Sequence, residues 1–345
     1  MDEPMKLDDI YLAGIGTYLP ERVTTAEAVE RGWYDAGERE AGGIISVAVG
    51  GEVPAPDMAV HAAREALKRS GHADEDISLL LHSIVHHQGP DGWSAPHYIL
   101  RNTVGGSAPA LEIRHGCLGV ISSVELAACT LLADPGRTAA LLTAADNFST
   151  PLVDRWTSGR VFVMADAGSA AVVSKRGGFA RLLAVGSRSD SSMEELHRGG
   201  ERLFPPGITV GTSLNLGDRT DYWRARWEEG VPPPLSHAGD IVVDVVGRTL
   251  EEAGITAADV TKVVVPGLCW SLLKSGFLDP LGIDVADSTW EFNRRLGHAG
   301  GTDLVAGLEH LLHEDEVGEG DHVLLVSKTS GIEAGAAVLR VEGAR

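Results

Sequence analysis

"EIRHGCLGVISSVELAACTLLA", residues 112–133, puts a cysteine where an extended segment gives way to an apolar helix. Gly116-Cys117-Leu118-Gly119 reads as a tight turn, and Val120 to Ala133 as an amphipathic to buried helix. A thiol at a helix N-terminus faces unpaired backbone N–H groups and the positive end of the helix dipole. Both favour the thiolate, so Cys117 is a candidate nucleophile. Cys129, inside the same helix, reads as core, and Cys269 follows an apolar strand-like stretch as a buried thiol.

Outward from this stretch the chain repeats itself. "ALKRSGHADEDISLLLH" at 66–82 resembles "TLEEAGITAADVTKVVV" at 249–265, an offset of 183. "GRTAALLTA" at 136–144 matches "GDHVLLVSK" at 320–328, an offset of 184. "DAGSAAVV" at 166–173 matches "EAGAAVLR" at 333–340 with an offset of only 167, which places extra residues in the first half around 147–163. The order is the same in both series. Two halves, 1–180 and 181–345, are expected, each alternating helices with short Val/Leu-rich strands. That pattern implies an α/β fold with buried sheets, packed as α-β-α-β-α layers about a pseudo-twofold axis. Adding 184 to 117 gives 301, inside "RLGHAGGTDLVAGLEHLL" (295–312), so Cys117 and His298 should meet near that axis.

Composition sets bounds on function. The 345 residues carry a net charge of −20 without a basic cluster, which argues against nucleic acid or an anionic membrane as partner. The acidic start, MDEPMKLDD, shows no secretory signal, and no apolar run is judged to approach the ~20 residues of a membrane span. Three cysteines without CxxC spacing suit a reducing cytoplasm.

These motifs resemble the ketosynthase III-like branch of the thiolase superfamily over nearly the whole chain. The opening "IYLAGIGTYLPERVTTAEAVERG" (10–32), "HGCLGVISSVELA" (115–127), "FVMADAGSAAVV" (162–173) and "GDHVLLVSKTSGIEAGAAVLR" (320–340) carry the likeness. The resemblance implies a thiolase-like fold, a homodimer with 147–163 in its interface, and an acyl thioester donor on coenzyme A or a carrier protein. Condensing members of that branch use a His in a Pro-His-Gln-Ala-Asn stretch and an Asn in a later Gly-Asn-Thr stretch to stabilise an enolate. Here the first reads Pro266-Gly267-Leu268-Cys269-Trp270 and the second Gly297-His298-Ala299, so the pair is lost.

What remains is Cys117, His298 and Asp303, a nucleophile, a base and a carboxylate to orient it. The pattern is similar to the subgroup that moves acyl groups onto oxygen, such as the malonyltransferase of cervimycin biosynthesis, which acylates a sugar hydroxyl of an aromatic polyketide glycoside. That resemblance implies an acyl-cysteine, its oxyanion held by N–H groups of Cys117 and of the Ser330-Gly331 turn, with no metal or redox cofactor. A malonyl carboxylate would need a cation. Arg155 and Arg160 in "DRWTSGR" (154–160) are candidates, with Arg294 and Arg295 as competitors. Trp33 alone matches the coenzyme A grip of the condensing relatives, so the donor is open between malonyl-CoA and a carrier-protein thioester, with the acidic surface tilting toward coenzyme A. Rival readings are a condensing ketosynthase III and a non-catalytic partner of a carrier protein.

Two further stretches stand out. "HSIVHHQGPDGWSAPH" (82–97) holds four histidines without companions at metal-ligand spacing and reads as a loop near the acceptor entrance. Residues 206–237, with Tyr222-Trp223-Arg224-Ala225-Arg226-Trp227 and a Pro run, have no counterpart in the first half and read as a lid, an acceptor wall or peripheral packing.

Overall fold

The computed structural model describes residues 7, 9–233 and 240–343. Eleven strands are found among them: β1 (Tyr11–Tyr18), β2 (Arg22–Thr24), β3 (Ser46–Ala48), β4 (Ile77–Ser83), β5 (Ala110–Ile113), β6 (Ala139–Asp146), β7 (Ala167–Ser174), β8 (Ala180–Ser189), β9 (Val260–Val264), β10 (His322–Thr329) and β11 (Glu333–Val341). Nine of them hydrogen-bond in the order β5-β4-β6-β7-β1-β8-β11-β10-β9. The order is a mirrored repeat. β4 and β6 are parallel, β6 and β7 antiparallel, β7 and β1 antiparallel. β9 and β10, β10 and β11, β11 and β8 follow with the same senses. The two series join where β1 touches β8 at only two residue pairs, Tyr11 with Arg181 and Leu12 with Ala180.

Strand alternation divides the core into layers. Ala140 and Leu142 of β6, with Val323 and Leu325 of β10, face a central cluster that encloses the helices Gly119–Ala133 and Thr302–His313. Ala139 and Leu141 face the opposite way, onto the helix Ala55–Ser70. Leu324 and Val326 likewise face outward, onto the helix Asp240–Ala253. Sheets covered on both sides need apolar residues at every strand position, which is why these strands read as unbroken Val/Leu/Ala runs. Each outer helix stops at a glycine in the left-handed conformation, Gly71 at φ 67° and Gly254 at φ 71°, and the chain then turns into β4 or β9.

Two expectations are corrected here. Gly116–Ala133 has a mean hydropathy of 1.8 over 18 residues and is long and apolar enough to cross a bilayer; in this fold it is a central-layer helix, half buried by its neighbours. Cys129 is not core but exposed, on a face with Leu126 and Leu132, which are 47% and 40% exposed. A helix apolar on every side does not reveal in its sequence which side the sheets cover.

Candidate active site

Cys117 sits in the one-turn 3-10 helix Gly116–Leu118 that leads into Gly119–Ala133. Gly116 holds φ 53°, and a Cβ there would lie 2.4 Å from Thr329 Oγ1, so both conformation and space call for glycine. Ser327 Oγ donates to the Cys117 carbonyl at 3.0 Å. The end of β10 is therefore wrapped against the cysteine turn.

The second central helix begins beside the first. A Cβ on Gly301 would stand 3.2 Å from Val120 Cγ2 and 3.4 Å from the Val120 backbone nitrogen. This contact brings the segment just before Gly301 to the cysteine. His298 Nε2 lies 2.9 Å from Cys117 Sγ, and His298 Nδ1 lies 2.6 Å from Asp303 Oδ2. Gly300, at φ 60°, folds the turn back so that a carboxylate five residues on can reach the ring.

Both partners are held rigidly. Asp303 is fully buried and also accepts the N–H groups of Gly267 and Ala299, each at 2.8 Å. His298 is pinned through its own backbone to Val163 and Ala165, and the Phe162 ring packs 4.9 Å from the imidazole. Burial opposes the charged imidazole. Cys117 on one nitrogen and Asp303 on the other outweigh it and hold the group well above its ordinary 6.5. The geometry favours the charged imidazole, with Nδ1 on Asp303 and Nε2 facing sulfur.

Gly267 stands where the resemblance to condensing enzymes led one to look for a His. A Cβ there would fall 2.2 Å from the Gly297 carbonyl oxygen and 3.1 Å from His298 Cα. No side chain fits in this backbone, and the Gly267 N–H serves Asp303 instead.

The remaining expected residues are placed as follows. Arg155 is corrected: its guanidinium is buried, bonded to both oxygens of Asp166, to the Met164 carbonyl and to Ser149 Oγ, and so is not offered to a ligand. Arg160 is half exposed and paired loosely, at 3.4 Å to Asp221 and 3.9 Å to Glu38. Arg294 and Arg295 are tied to Glu291. Of the turn expected to complete the oxyanion site, Gly331 directs its N–H at His197 Nδ1, 3.5 Å away, which leaves Ser330. Cys269 is buried, and burial pushes its thiol up to about 11.

Of the four histidines at 82–97, His82 is locked inside between Thr143 and Gln88, and burial lowers it to about 4. His87 pairs with Asp91 and His97 with Ser94 at the surface, while His86 lines a cavity of about 230 Å³ with Asp146 and Ser149. In the unmatched stretch, Trp223 is buried with its N–H on the Leu196 carbonyl, and Trp227 is 63% exposed. Pro234 and His237 of that stretch lie outside the described residues, as does the acidic start at 1–6. The sequence gives no role to Phe162 or Ser327, and Gly267 shows there only as a missing histidine. Only the duplicated end of β10 hinted at Ser327.

The family profile of 3-oxoacyl-[acyl-carrier-protein] synthase III matches residues 111–191, and that of its C-terminal part matches 250–341. The solved structure of ChlB3, described as an acyltransferase, is 42% identical, covers 97% of this chain and 98% of its own, and superposes with a TM-score of 0.92. The 3-oxoacyl-[acyl-carrier-protein] synthase III of Aquifex aeolicus VF5 shares the fold at a TM-score of 0.77 and 19% identity, over 96% of this chain and 99% of its own. Beta-ketoacyl-[acyl-carrier-protein] synthase III 5 of Streptomyces coelicolor is 27% identical over 337 residues, 95% of this chain and 96% of the relative.

Proposed function

The chain belongs to the 3-oxoacyl-[acyl-carrier-protein] synthase III family, with its thiolase-like fold, and from that premise we propose that it is an O-acyltransferase rather than a condensing enzyme. The observation that carries this reading is the single hydrogen-bonded chain Cys117–His298–Asp303, with Gly267 closing the space of the second enolate donor. Its similarity to ChlB3, an acyltransferase, supports it.

In this reading residues 1–180 supply the nucleophile and 181–345 the base. Cys117 sulfur attacks the thioester carbonyl, the thiol of the donor leaves with the proton from His298 Nε2, and an acyl-cysteine remains. An acceptor hydroxyl then attacks that carbonyl. His298 takes the hydroxyl proton, the C–S bond breaks, and the ester departs, leaving sulfur and imidazolium as before. General-base assistance of this kind contributes about 10²–10⁴ in rate. Asp303 keeps Nδ1 protonated throughout. The Cys117 N–H and one from Ser330 receive the oxyanion, and a missing donor costs about 10²–10³.

The acyl group is malonyl and the donor malonyl-CoA, with Arg160 taking the free carboxylate; Arg160 lies two residues before Phe162, whose ring covers His298. Trp33 supports coenzyme A over a carrier protein, since its ring is 41% exposed and carries the Arg31 guanidinium 4.6 Å from its centroid. The acceptor is a hydroxyl of a glycosylated polyketide, of the kind the cervimycin malonyltransferase uses, and the enzyme works as a cytoplasmic homodimer without metal or redox cofactor. The test is product analysis with malonyl-CoA and hydroxylated glycosides. A malonyl ester supports the reading; a carbon–carbon condensation product with carbon dioxide release overturns it in favour of the second reading, which the synthase III names of the curated relatives favour.

A further inference from the structure

His115 stands two residues before Cys117 and takes no part in the Cys117–His298–Asp303 chain. Its Nδ1 lies 2.7 Å from Ser122 Oγ, and its Nε2 lies 3.3 Å from Glu333 Oε2. Ser189 Oγ donates to the same carboxylate oxygen at 2.6 Å. Ser122 belongs to the helix that Cys117 precedes, whereas Glu333 opens β11 two residues after Gly331 of the Thr329-Ser330-Gly331 turn. One imidazole thus joins the cysteine turn to the hairpin between β10 and β11. Ser327 Oγ on the Cys117 carbonyl, Thr329 against Gly116 and the Leu118 side chain against Gly335 of β11 also cross this seam.

The proton positions follow from the partners. To face a carboxylate, Nε2 must carry a hydrogen. Ser122 then either donates to a bare Nδ1 or accepts from a protonated one while giving its own hydrogen to the Leu118 carbonyl, 3.3 Å away. The 3.3 Å contact of Nε2 with Glu333 is compatible with both states. The pair is partly exposed, at 31% and 20%, so its value lies in fixing a geometry more than in ion-pair energy.

We propose that His115 is a positioning residue: through Glu333 it fixes the Cys117 turn against the β10–β11 hairpin and so sets the angle between the attacking sulfur and the N–H groups that receive the oxyanion. This rests on the reading of Cys117 as the acylated nucleophile. The approach of sulfur to His298 is set elsewhere, by the contact of Gly301 with Val120.

Two rates separate these effects. Single-turnover acylation by malonyl-CoA needs sulfur, His298 and the oxyanion donors; alkylation of Cys117 by iodoacetamide, read on its own peptide, needs sulfur and His298 but no oxyanion site. His115→Ala and Glu333→Ala should slow acylation by about ten- to a hundredfold, the scale of a small misplacement of reacting groups, with alkylation and Tm unchanged. Glu333→Gln, which keeps an acceptor for Nε2–H, should recover most of the rate. Variants that acylate as fast as an active wild type overturn the role of His115 alone, and so does a parallel loss of acylation and alkylation. A wild type that takes up no acyl group overturns the nucleophile itself, and the inference with it.

Discussion

Asp303→Asn probes the site at its least replaceable point. The carboxylate accepts three buried hydrogens: His298 Nδ1–H and Gly267 N–H on Oδ2, and Ala299 N–H on Oδ1. Asparagine has the same shape but only one acceptor oxygen. If its oxygen takes the place of Oδ2, its NH2 group is driven against the Ala299 N–H. In the opposite orientation it faces both the Gly267 N–H and His298, and the imidazole must give up its Nδ1 hydrogen, the wrong tautomer for taking a proton at Nε2. Either outcome leaves a buried donor opposed to a donor, a cost of about 1–3 kcal/mol. It also removes a negative charge that holds the imidazole above its ordinary value, so the pH at which His298 loses its proton moves down. Single-turnover acylation by malonyl-CoA, followed by intact mass from acid to alkaline pH, should fall by about 10²–10⁴, the share that a positioned acid–base group supplies. An Asp303→Asn enzyme that acylates at the wild-type rate with an unshifted pH profile would mean that this carboxylate does not position His298.

Gly267→Ala places a methyl carbon 2.2 Å from the Gly297 carbonyl oxygen and must push the His298 segment aside. Strain of about 1–3 kcal/mol and a loss of acyl transfer near 10²-fold are expected, read by thermal unfolding and single-turnover rates; a variant unchanged in both contradicts the packing argument. Burial raises the Asp146 carboxyl from 3.8 to about 7. Between those values the unfolded chain is ionised while the folded one holds the proton, so this group's contribution to stability falls as pH rises toward 7 and is constant above it. Asp146→Asn, which cannot ionise, should therefore gain on the wild type in urea unfolding between about pH 5 and pH 8, and a difference independent of pH would contradict the assignment.

The duplication was legible because doubly covered strands leave an unbroken apolar signature, so "AALLTA" and "HVLLVS" look alike even after the rest has diverged. From the duplication came the prediction that His298 and Cys117 approach, and the structure places them 2.9 Å apart. Which face of a uniformly apolar helix is covered depends on tertiary packing, so Cys129 was misplaced. Arg155 illustrates a different limit. An arginine in an insertion reads as a free cation until Asp166, eleven residues on, is seen to enclose it. Gly267 carries the most specific message and showed only as a missing histidine; that its backbone leaves no room for any side chain is a matter of distances.

Acyl transfer without decarboxylation requires a covalent acyl-cysteine that keeps its carboxylate. Wild-type protein and Cys117→Ala are incubated with malonyl-CoA and their intact masses recorded. The wild type should gain the mass of a whole malonyl group and the variant none. An acetyl-sized increase would show that the enzyme decarboxylates its donor, and the transferase reading would be contradicted.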